Sequence, residues 1–505
     1  MTKEETFKYL KENELDVQHA KAALIYAKLI YNSYVNSDRI HGVNYSPIFS
    51  YFFKSNSSNF YQIIPRKHIK NVSEKIYLDY CKDPETLENK IKRHEHLDER
   101  FDKIWKNYQK RKDNLSAQGL LRVCRDFINI LKEWWYYGVI GEDKGEVIVQ
   151  EVVPRFAKRH GLSLEEAKEI IIVLAHPDTQ SIFNLERKDF LNICLEAKKD
   201  KKSKKLDQLI NNYIKNYFYF KTDFHEAKEI TPDDLLKQAS KETTDRVDIS
   251  KEIKTIDDNF KKIHKQKERL LTSLKLTKED KKDIYFSQRV ASWFDQRKAR
   301  TMVQCYYLYS FLKDIAKKYD LEYHDLAFST HEELEEFLKG GKLNKTEIEK
   351  RNKGMFYVFE KGEVDAKAFY EEASNLVKIA TNIARKGLRG QIASTGGLKE
   401  IEGVVRVVHN PIQDEFNNGE ILVTSMTRIE FVPLMRKARA IITDEGGIVC
   451  HAAIISRELN LPCIIGTKNA THILKTEDKI ELNLEVGAVR ILKNKEKKSK
   501  KFNRI

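Results

Sequence analysis

The chain has 505 residues, of which 41% are hydrophobic and 33% charged, and its mean hydropathy is −0.58. This composition predicts a folded, highly charged protein with about three domains, and no stretch approaches the ~18 consecutive apolar residues of a membrane helix. The charged segment Met1–Thr6 leads into no apolar run, so no signal peptide and no membrane partner are expected. The six cysteines include no CxxC pair, which favours free thiols in a reducing cytoplasm.

The formal net charge of +15 leaves nucleic-acid binding open, but much of this charge is local. Lys493–Ile505 holds six Lys and one Arg against one Glu, and Lys198–Lys205 holds six Lys and one Asp. Runs of this kind are more typical of solvated loops and tails than of binding sites. Residues 494–505 are therefore predicted to be a disordered basic tail.

Glycine content divides the chain near residue 387. Ten of the 20 glycines lie between Gly387 and Gly487, and the other ten are spread over the first 386 residues. A long segment poor in Gly and rich in Lys, Glu, Leu and Ile is typical of helices, whereas Gly turns between Val and Ile runs are typical of strands. We predict a multidomain α plus α/β protein, with an almost all-helical region over residues 1–385 and a compact α/β domain over residues 388–493.

The first region contains several clear helix signals. The apolar residues within Leu121–Leu131 share one helix face and lead to Trp134–Tyr137, an aromatic cluster predicted to be core. A second apolar face follows in Leu308–Tyr319. Thr330–Glu333 is a capping box, and the helix after it is predicted to stop at Gly340.

Charge runs predict two sub-boundaries within the helical region. The first lies near residue 200, in the lysine-rich run described above. The second covers residues 250–285, where Lys251–Lys282 is nearly all charged and predicts an exposed long helix or a coiled-coil arm.

The C-terminal domain alternates predicted strands and helices. Strands are predicted at Val404–Val408, Gly419–Val423, Ala440–Ile442, Cys463–Ile465, Lys479–Leu482 and Ala488–Leu492. Ile454 and Ile455 lie on a predicted helix. Strands and helices interleaved over about 105 residues are typical of one small α/β domain.

The segment Thr443–Thr467 contains the residues that point to a chemical function. Gly446 and Gly447 are predicted to turn the chain tightly after a buried strand, and a helix then begins near His451 and ends at Asn460. His451 is thus expected at a helix N-terminus and at least partly exposed. Free N–H groups and the positive end of the helix dipole favour a bound phosphate at this position.

An imidazole in this position is suited to accept a phosphoryl group. Its ordinary pKa of about 6.5 leaves much of it neutral and nucleophilic near pH 7. Covalent catalysis through such a group divides one difficult transfer into two easier steps. On the local pattern alone, the alternative remains that His451 is only a hydrogen-bonding residue at the start of a helix.

The complete segment resembles the phosphohistidine signature of the mobile, or swivelling, domain of PEP-utilising enzymes, such as phosphoenolpyruvate synthase, pyruvate phosphate dikinase and rifampicin phosphotransferase. The shared pattern is Gly-Gly, Ser or Cys, His-Ala-Ala, an aliphatic pair, Arg-Glu-Leu, Pro, and aliphatic residues to Gly-Thr. The resemblance implies that His451 is the phosphorylated residue and that Gly446 and Gly447 form the approach turn. It also implies that Cys450 and Arg457 support the phosphohistidine loop and helix.

Other parts of the domain extend this resemblance and qualify it. Gly390–Gly397 and Gly403–Val408 resemble the opening strands of the family. Val449 stands where the dikinase and the synthase have Thr, so regulation by phosphorylation of that Thr is not expected. The usual closing Val-Asp-Gly is replaced within Leu482–Gly487, which puts the role of that acidic turn in doubt.

A weaker resemblance covers residues 115–385. Trp293–Arg300, Asp325–Leu334, Arg351, Leu174–Pro177 and Asn211–Phe220 look like the helical linker that precedes the mobile domain in synthase-like and rifampicin-phosphotransferase-like proteins. Neither an ATP-grasp domain nor a PEP barrel is recognised in the first 386 residues. The resemblance therefore implies a helical region plus a carrier domain, without these catalytic partners.

Three functions remain open on the sequence. In the first, the chain carries a phosphoryl group, its donor or acceptor is a protein acting in trans, and the family implies Mg²⁺ with ATP or PEP. In the second, the helical region itself binds an acceptor in a cleft against His451. In the third, the carrier domain is a relic in a binding or regulatory protein that contacts nucleic acid. His94 and His96 are not expected to bind a metal, because two residues separated by a single spacer in a helix usually face different sides.

Overall fold

The structure is a computed structural model. It describes residues 1–13, 15–20, 22–53, 60–138, 148–244, 249–362, 367–377, 388–409, 411, 414–427, 431–447, 450–467 and 470–493. The predicted basic tail and Val449 lie outside the described residues. Within the described residues, no helix combines the length and the apolar character needed to cross a membrane.

Helices dominate the chain as far as Lys353. They are α1 (Lys3–Glu12), α2 (Leu24–Val35), α3 (Asp38–His41), α4 (Arg66–Lys82), α5 (Pro84–Gln109), α6 (Ala117–Gly138), α7 (Val153–His160), α8 (Leu164–Leu174), α9 (Ile182–Lys199), α10 (Lys204–Tyr217), α11 (Pro232–Thr244), α12 (Ile249–Ser273), α13 (Lys278–Tyr319), α14 (Tyr323–Ala327), α15 (His331–Leu338) and α16 (Lys345–Lys353). The 42-residue α13 contacts α5, α6, α8 and α9, so it runs through the centre of this helical region.

The helix signals found in the sequence correspond to helices in the structure. Trp134 and Trp135 are buried at the end of α6, and the Trp134 indole N–H donates to Asp98 at 3.0 Å. The capping box is formed as predicted, because the Glu333 N–H donates to the Thr330 hydroxyl at 3.3 Å and the Thr330 N–H donates to the Glu333 carboxylate at 2.8 Å. These local patterns therefore predicted local structure correctly.

A five-stranded antiparallel sheet lies within the region that was predicted to be almost all-helical. Its strands are β1 (Leu15–Ala20), β2 (Ile48–Phe52), β3 (Phe60–Pro65), β4 (Met355–Phe359) and β5 (Lys367–Phe369), in the order β1-β3-β2-β4-β5. Every residue of β2 and β4 is buried, so neither strand shows the alternation of apolar and polar residues by which half-buried strands are recognised. The two strands are also about 300 residues apart in the chain, and a local pattern does not report such pairing.

The charged segment forms a long helix, as predicted, but one side of this helix is packed against the rest of the chain. Most of it forms α12, which contacts α8, α9 and the C-terminal domain. Lys267 is buried on this helix and donates to the carbonyl oxygen of His176 at 2.8 Å. Hydrogen bonds and ion pairs thus satisfy charges that the sequence alone assigned to solvent.

A second sheet, of seven strands, forms the C-terminal domain. Its strands are β6 (Gln391–Ser394), β7 (Glu400–Val407), β8 (Ile421–Thr424), β9 (Ala440–Thr443), β10 (Cys463–Ile465), β11 (Lys479–Asn483) and β12 (Ala488–Lys493). The order is β12-β11-β7-β8-β9-β10-β6, with β7, β8, β9 and β10 parallel. The helices of this domain are α17 (Val432–Lys437), α18 (His451–Glu458) and α19 (Ala470–Ile473). All six strands predicted here are present.

The turn between β11 and β12 explains one departure from the family pattern. The side-chain oxygen of Asn483 accepts the backbone N–H groups of Glu485 and Val486, both at 3.0 Å. An aspartate would accept the same two bonds, so Asn preserves this turn without the charge. At its end, Gly487 has φ +64°, and its carbonyl oxygen accepts from the Gly390 N–H at 2.9 Å.

We expect Gly487→Ala to destabilise the C-terminal domain by about 3 kcal/mol, since a left-handed backbone is strained for Ala and the new Cβ would overlap the carbonyl oxygen of Gly390. The matched change Gly397→Ala has a similar φ of +81° but meets no atom within 4 Å, and it should cost only about 1 kcal/mol. Hydrogen exchange of the amides in β11 and β12 measures both effects. Equal protection in the two variants would contradict this account of the turn.

Candidate functional site

The connection between β9 and α18 determines where His451 lies. Gly446 has φ +116°, and a Cβ at this position would lie 2.6 Å from the Cys450 Sγ. The Cys450 N–H donates to the carbonyl oxygen of Gly447 at 2.8 Å, which closes the turn just before the helix. The predicted need for glycine in this turn therefore has a steric reason at Gly446.

Helix α18 begins at His451, as predicted. Cys450 is its N-cap, with an extended backbone and with Sγ accepting from the Ala453 N–H at 3.5 Å. The helix ends at Glu458, and Asn460 follows with φ +52°, the left-handed residue expected there. The imidazole is thus attached to the first turn of a helix, where unpaired N–H groups favour negative charge.

Arg457 lies at the opposite end of the same helix from His451. Its guanidinium donates to the carbonyl oxygen of Ala393 on β6 at 3.4 Å, and burial lowers its pKa to about 10. This contact fastens α18 to the sheet. The structure therefore brings Gly446, Cys450 and His451 together, whereas Arg457 is in a position to support the helix rather than to touch a phosphoryl group.

The imidazole of His451 is almost completely enclosed. Only 2% of the residue is exposed, the Phe183 ring packs edge-on against it at 4.7 Å, and Nδ1 lies 2.8 Å from the Thr427 hydroxyl. The expectation of partial exposure is therefore wrong for this arrangement. Phe183 belongs to α9 of the helical region, so the imidazole is buried where two parts of the chain meet and not within the core of its own domain.

The two nitrogens of the imidazole have different surroundings. Nε2 is buried and has no hydrogen-bond partner among the described residues. When Nδ1 carries the hydrogen and donates it to Thr427, Nε2 keeps its lone pair. Burial, together with the positive charge of Lys298, holds the pKa of His451 well below its ordinary value, so the ring stays neutral. A neutral imidazole with one unpaired nitrogen is a nucleophile.

Polar contacts from α18 hold the C-terminal domain against the helical region. The Glu458 carboxylate accepts from the Ser181 hydroxyl at 2.6 Å and from the Asn184 amide at 2.7 Å. The Asn259 amide, on α12, donates to the Glu458 carbonyl oxygen at 3.0 Å. Glu458 is 2% exposed, and burial raises the pKa of its carboxyl to about 7. We call this set of contacts the Glu458 dock.

Three residues around His451 were not identified from the sequence. Thr427 follows the end of β8, Lys298 lies within the Trp293–Arg300 segment noted above, and Phe183 carried no functional signal. The Lys298 ammonium donates to the Thr427 carbonyl oxygen at 3.3 Å, which connects α13 to the loop that holds the imidazole. These contacts join distant segments, so a motif search along the chain does not find them.

Among the residues that the structure describes, metal-binding side chains do not gather near His451. Within the described part of the chain, no three His, Cys, Asp or Glu side chains are positioned to hold a metal ion. His94, considered above, is buried with its ring 4.0 Å from Trp134.

Comparison with known proteins agrees with this geometry. Residues 416–487 match the model of "PEP-utilising enzyme, mobile domain". The C-terminal domain is therefore similar to the mobile domain of PEP-utilising enzymes over these residues, and we call it the mobile domain below. This domain begins before the matched residues and includes the whole turn, N-cap and helix that carry His451.

Relatives of this mobile domain are phosphoenolpyruvate synthases. The probable phosphoenolpyruvate synthase of Staphylothermus marinus is 43% identical over 118 residues, which cover 23% of this chain and 14% of the relative. The synthase of Pyrococcus furiosus is 59% identical over 63 residues, covering 12% of this chain and 8% of that protein. The synthase of Neisseria meningitidis is 35% identical over 135 residues, with 26% and 17% covered. The chain therefore spans less than a fifth of the length of these relatives.

The Glu458 dock gives a prediction for the exposure of His451. Glu458→Lys places a buried positive charge beside Arg436, which donates to Asn184 at 3.1 Å, so we expect the mobile domain to separate from the helical region. The rate at which diethyl pyrocarbonate modifies His451, followed by peptide mass spectrometry, should rise at least about 10-fold. The exposed Glu485→Lys is the matched control and should leave this rate unchanged. If the Glu458→Lys protein keeps the circular dichroism and the His451 modification rate of the wild type, the Glu458 dock does not hold the two parts of the chain together.

The raised pKa of Glu458 predicts a pH dependence of docking. The ordinary pKa of this carboxyl is 4.5, and in the docked arrangement it is about 7. Between these two pH values, Glu458 keeps its proton while it is docked and loses it when the two parts of the chain separate. Docking therefore weakens as pH rises through this window. Asp295 acts in the same direction, and His451, whose pKa is lowered, acts in the opposite one. Glu458→Gln removes the main dependence. The ratio of wild-type to Glu458→Gln modification rates at His451 should therefore increase from about pH 6 to about pH 8, and a constant ratio would be inconsistent with a buried neutral Glu458.

Proposed function

We propose that this chain transfers phosphoryl groups through a phosphohistidine formed at Nε2 of His451, with the phosphoryl donor bound by a partner protein. The unpaired, buried Nε2 of a neutral imidazole at a helix N-terminus carries this proposal. Similarity of the C-terminal domain to the mobile-domain family supports it. The free cysteines fit work in the reducing cytoplasm.

The contacts of the imidazole give each neighbour a role in the transfer. As Nε2 attacks phosphorus, positive charge develops on the ring. In the tautomer that carries hydrogen on Nδ1, this hydrogen is donated to the Thr427 hydroxyl 2.8 Å away, which fixes the orientation of the ring. The N-terminus of α18 and the ammonium of Lys298 favour the negative charge of the bound phosphoryl group. After transfer, the negatively charged phosphoryl group on Nε2 lies near these two positively charged features.

The family implies Mg²⁺ with ATP or PEP as the donor. The described groups that act on the imidazole are a hydroxyl, an aromatic ring and an ammonium, and none of them is the anionic oxygen ligand that Mg²⁺ prefers. Because these residues do not fit the metal, we place both the metal and the donor in the partner. The partner can reach Nε2 only when the mobile domain leaves Phe183, so opening of the Glu458 dock precedes phosphorylation.

Incubation with labelled ATP or PEP, Mg²⁺ and cell extract should place an acid-labile, base-stable phosphoryl group on His451. His451→Ala and His451→Asn should abolish the label while the protein stays folded, because a residue at a helix start contributes little to stability. Cys450→Ser is the matched control and should still be labelled, since Ser is an equally suitable N-cap. Label at wild-type level in His451→Ala, or label that resists acid, would refute the assignment. Failure of the wild type to label with either donor would favour a relic domain used for binding.

Thr427 gives a separate test of the tautomer. Thr427→Val removes the acceptor for Nδ1–H at nearly constant volume, and we expect the labelling rate of His451 to fall about 10-fold. Thr427→Ser restores a hydroxyl and should recover most of the rate. Equal rates in the Val and Ser variants would show that this hydroxyl does not position the ring.

A further inference from the structure

We propose that the cavity between the helical region and α18 is the acceptor site, and that it takes a small neutral or cationic alcohol that receives the phosphoryl group of His451. This inference rests on the function proposed above. It places the acceptor in this chain, so only the donor need come from a partner.

The cavity lies where the two parts of the chain meet. It has a volume of about 280 Å³, equivalent to about nine water molecules in the liquid, so it suits a small ligand. Three elements line most of it: the start of α9 with Ser181, Ile182 and Leu185, α13 with Ser292, Asp295 and Gln296, and α18 with Ile454 and Glu458. Closure of the mobile domain therefore completes its wall.

Each of these three elements also reaches the surroundings of His451. On α9, Ile182 lines the cavity and the next residue, Phe183, packs on the imidazole. On α13, Asp295 lines the cavity, and Lys298, one turn later, lowers the pKa of His451. On α18, Ile454 is one turn after His451 itself. Side chains one helical turn apart are neighbours, about 5–6 Å apart at Cβ. Asp295 with Lys298 and Ile454 with His451 are such pairs, so the cavity is adjacent to the surroundings of the imidazole along α13 and α18.

The residues that line the cavity indicate which class of acceptor it can bind. The ionisable groups among the described lining residues are two carboxyls, Asp295 and Glu458, and the lining includes no Lys, Arg or His. An anionic acceptor would meet repulsion here, whereas a neutral or cationic one would not. The hydroxyls of Thr179 and Ser292 and the amide of Gln296 offer hydrogen bonds that suit a hydroxylated molecule.

Asp295 is placed to act as the general base. Its Oδ2 accepts the Ile182 N–H at 3.3 Å, and a carboxylate can accept further hydrogen bonds. Burial raises its pKa to about 6, which brings the carboxylate closer in basicity to the range of an effective base near neutral pH. Oε2 of Glu458 already accepts from the Ser181 hydroxyl and the Asn184 amide, and its Oε1 accepts the Ser181 N–H at 3.4 Å, so Glu458 shapes the wall and Asp295 takes the proton.

The proposed transfer moves the phosphoryl group from Nε2 of His451 to the oxygen of the acceptor alcohol. The acceptor hydroxyl oxygen attacks phosphorus, the O–P bond forms as the P–Nε2 bond breaks, and the electron pair returns to Nε2. The hydroxyl proton passes to Asp295, which releases it to solvent. The hydrogen on Nδ1 stays bonded to Thr427 throughout. Phe183 is the side chain that must shift, since it packs against the ring in the unphosphorylated chain.

The test separates the two half-reactions. Wild-type chain labelled with radioactive phosphate on His451 is repurified and mixed with a small-molecule cell extract freed of protein and nucleic acid by ultrafiltration. We expect label to leave the protein and appear in an acid-stable phosphate ester. Asp295→Asn should slow this transfer at least about 100-fold, and Asp314→Asn, a change at a distant site of the same helix, should leave it at the wild-type rate.

A second pair of variants tests the cavity without touching the proposed base. Leu185→Trp fills part of the cavity and should slow transfer about 10-fold or more by excluding the ligand. Leu78→Trp is the matched control, since Leu78 is 53% exposed and Leu185 46% exposed, and Leu78 lies on α4, away from the cavity. Transfer at the wild-type rate in both Asp295→Asn and Leu185→Trp overturns the inference.

The remaining outcomes are also decisive. If label is released only as inorganic phosphate, or moves only to protein when unfiltered extract is used, the acceptor does not bind in this cavity and the inference fails while the phosphohistidine stands. If His451 never becomes labelled, the proposed function fails first. The two failures are therefore distinguishable.

Discussion

Burial of the His451 imidazole between the mobile domain and the helical region is the constraint on which the rest of the site depends. The ring is attached to the first turn of α18, its Nδ1 meets Thr427 from its own domain, and Phe183 covers it from the other side. Burial removes water from Nε2 and lowers the pKa of the ring. The same enclosure that makes the imidazole a neutral nucleophile also prevents a donor from reaching it.

In the function proposed here, opening of the Glu458 dock resolves this conflict between reactivity and access. A buried carboxylate costs free energy unless it is hydrogen-bonded, and Glu458 obtains its partners, Ser181 and Asn184, only in the closed arrangement. Its raised pKa shows that the closed contact still disfavours the charge. One wall of the cavity beside Ile182 and Asp295 is formed by α18 of the C-terminal domain, so the proposed acceptor half-reaction belongs to the closed arrangement.

The sequence predicted the mobile domain in detail because its signals are local. A few neighbouring residues are enough to predict the glycine turn between β9 and α18, the start of the helix at His451 and its end before the left-handed Asn460. The sheet formed by β1–β5 was missed, because its fully buried strands pair across most of the chain. Burial of His451 was missed for a related reason. Phe183 and Lys298 approach it from α9 and α13, and no spacing along the chain reports their proximity.

The central claim is that Nε2 of His451 forms the bond to phosphorus. Phosphorus–nitrogen correlation NMR on the phosphorylated chain, prepared with ¹⁵N-labelled histidine, identifies the bonded nitrogen directly. The account predicts a coupling to Nε2 of one histidine that disappears in His451→Asn, with Nδ1 still carrying its hydrogen. A coupling to Nδ1, or a coupling that survives in His451→Asn, would contradict it.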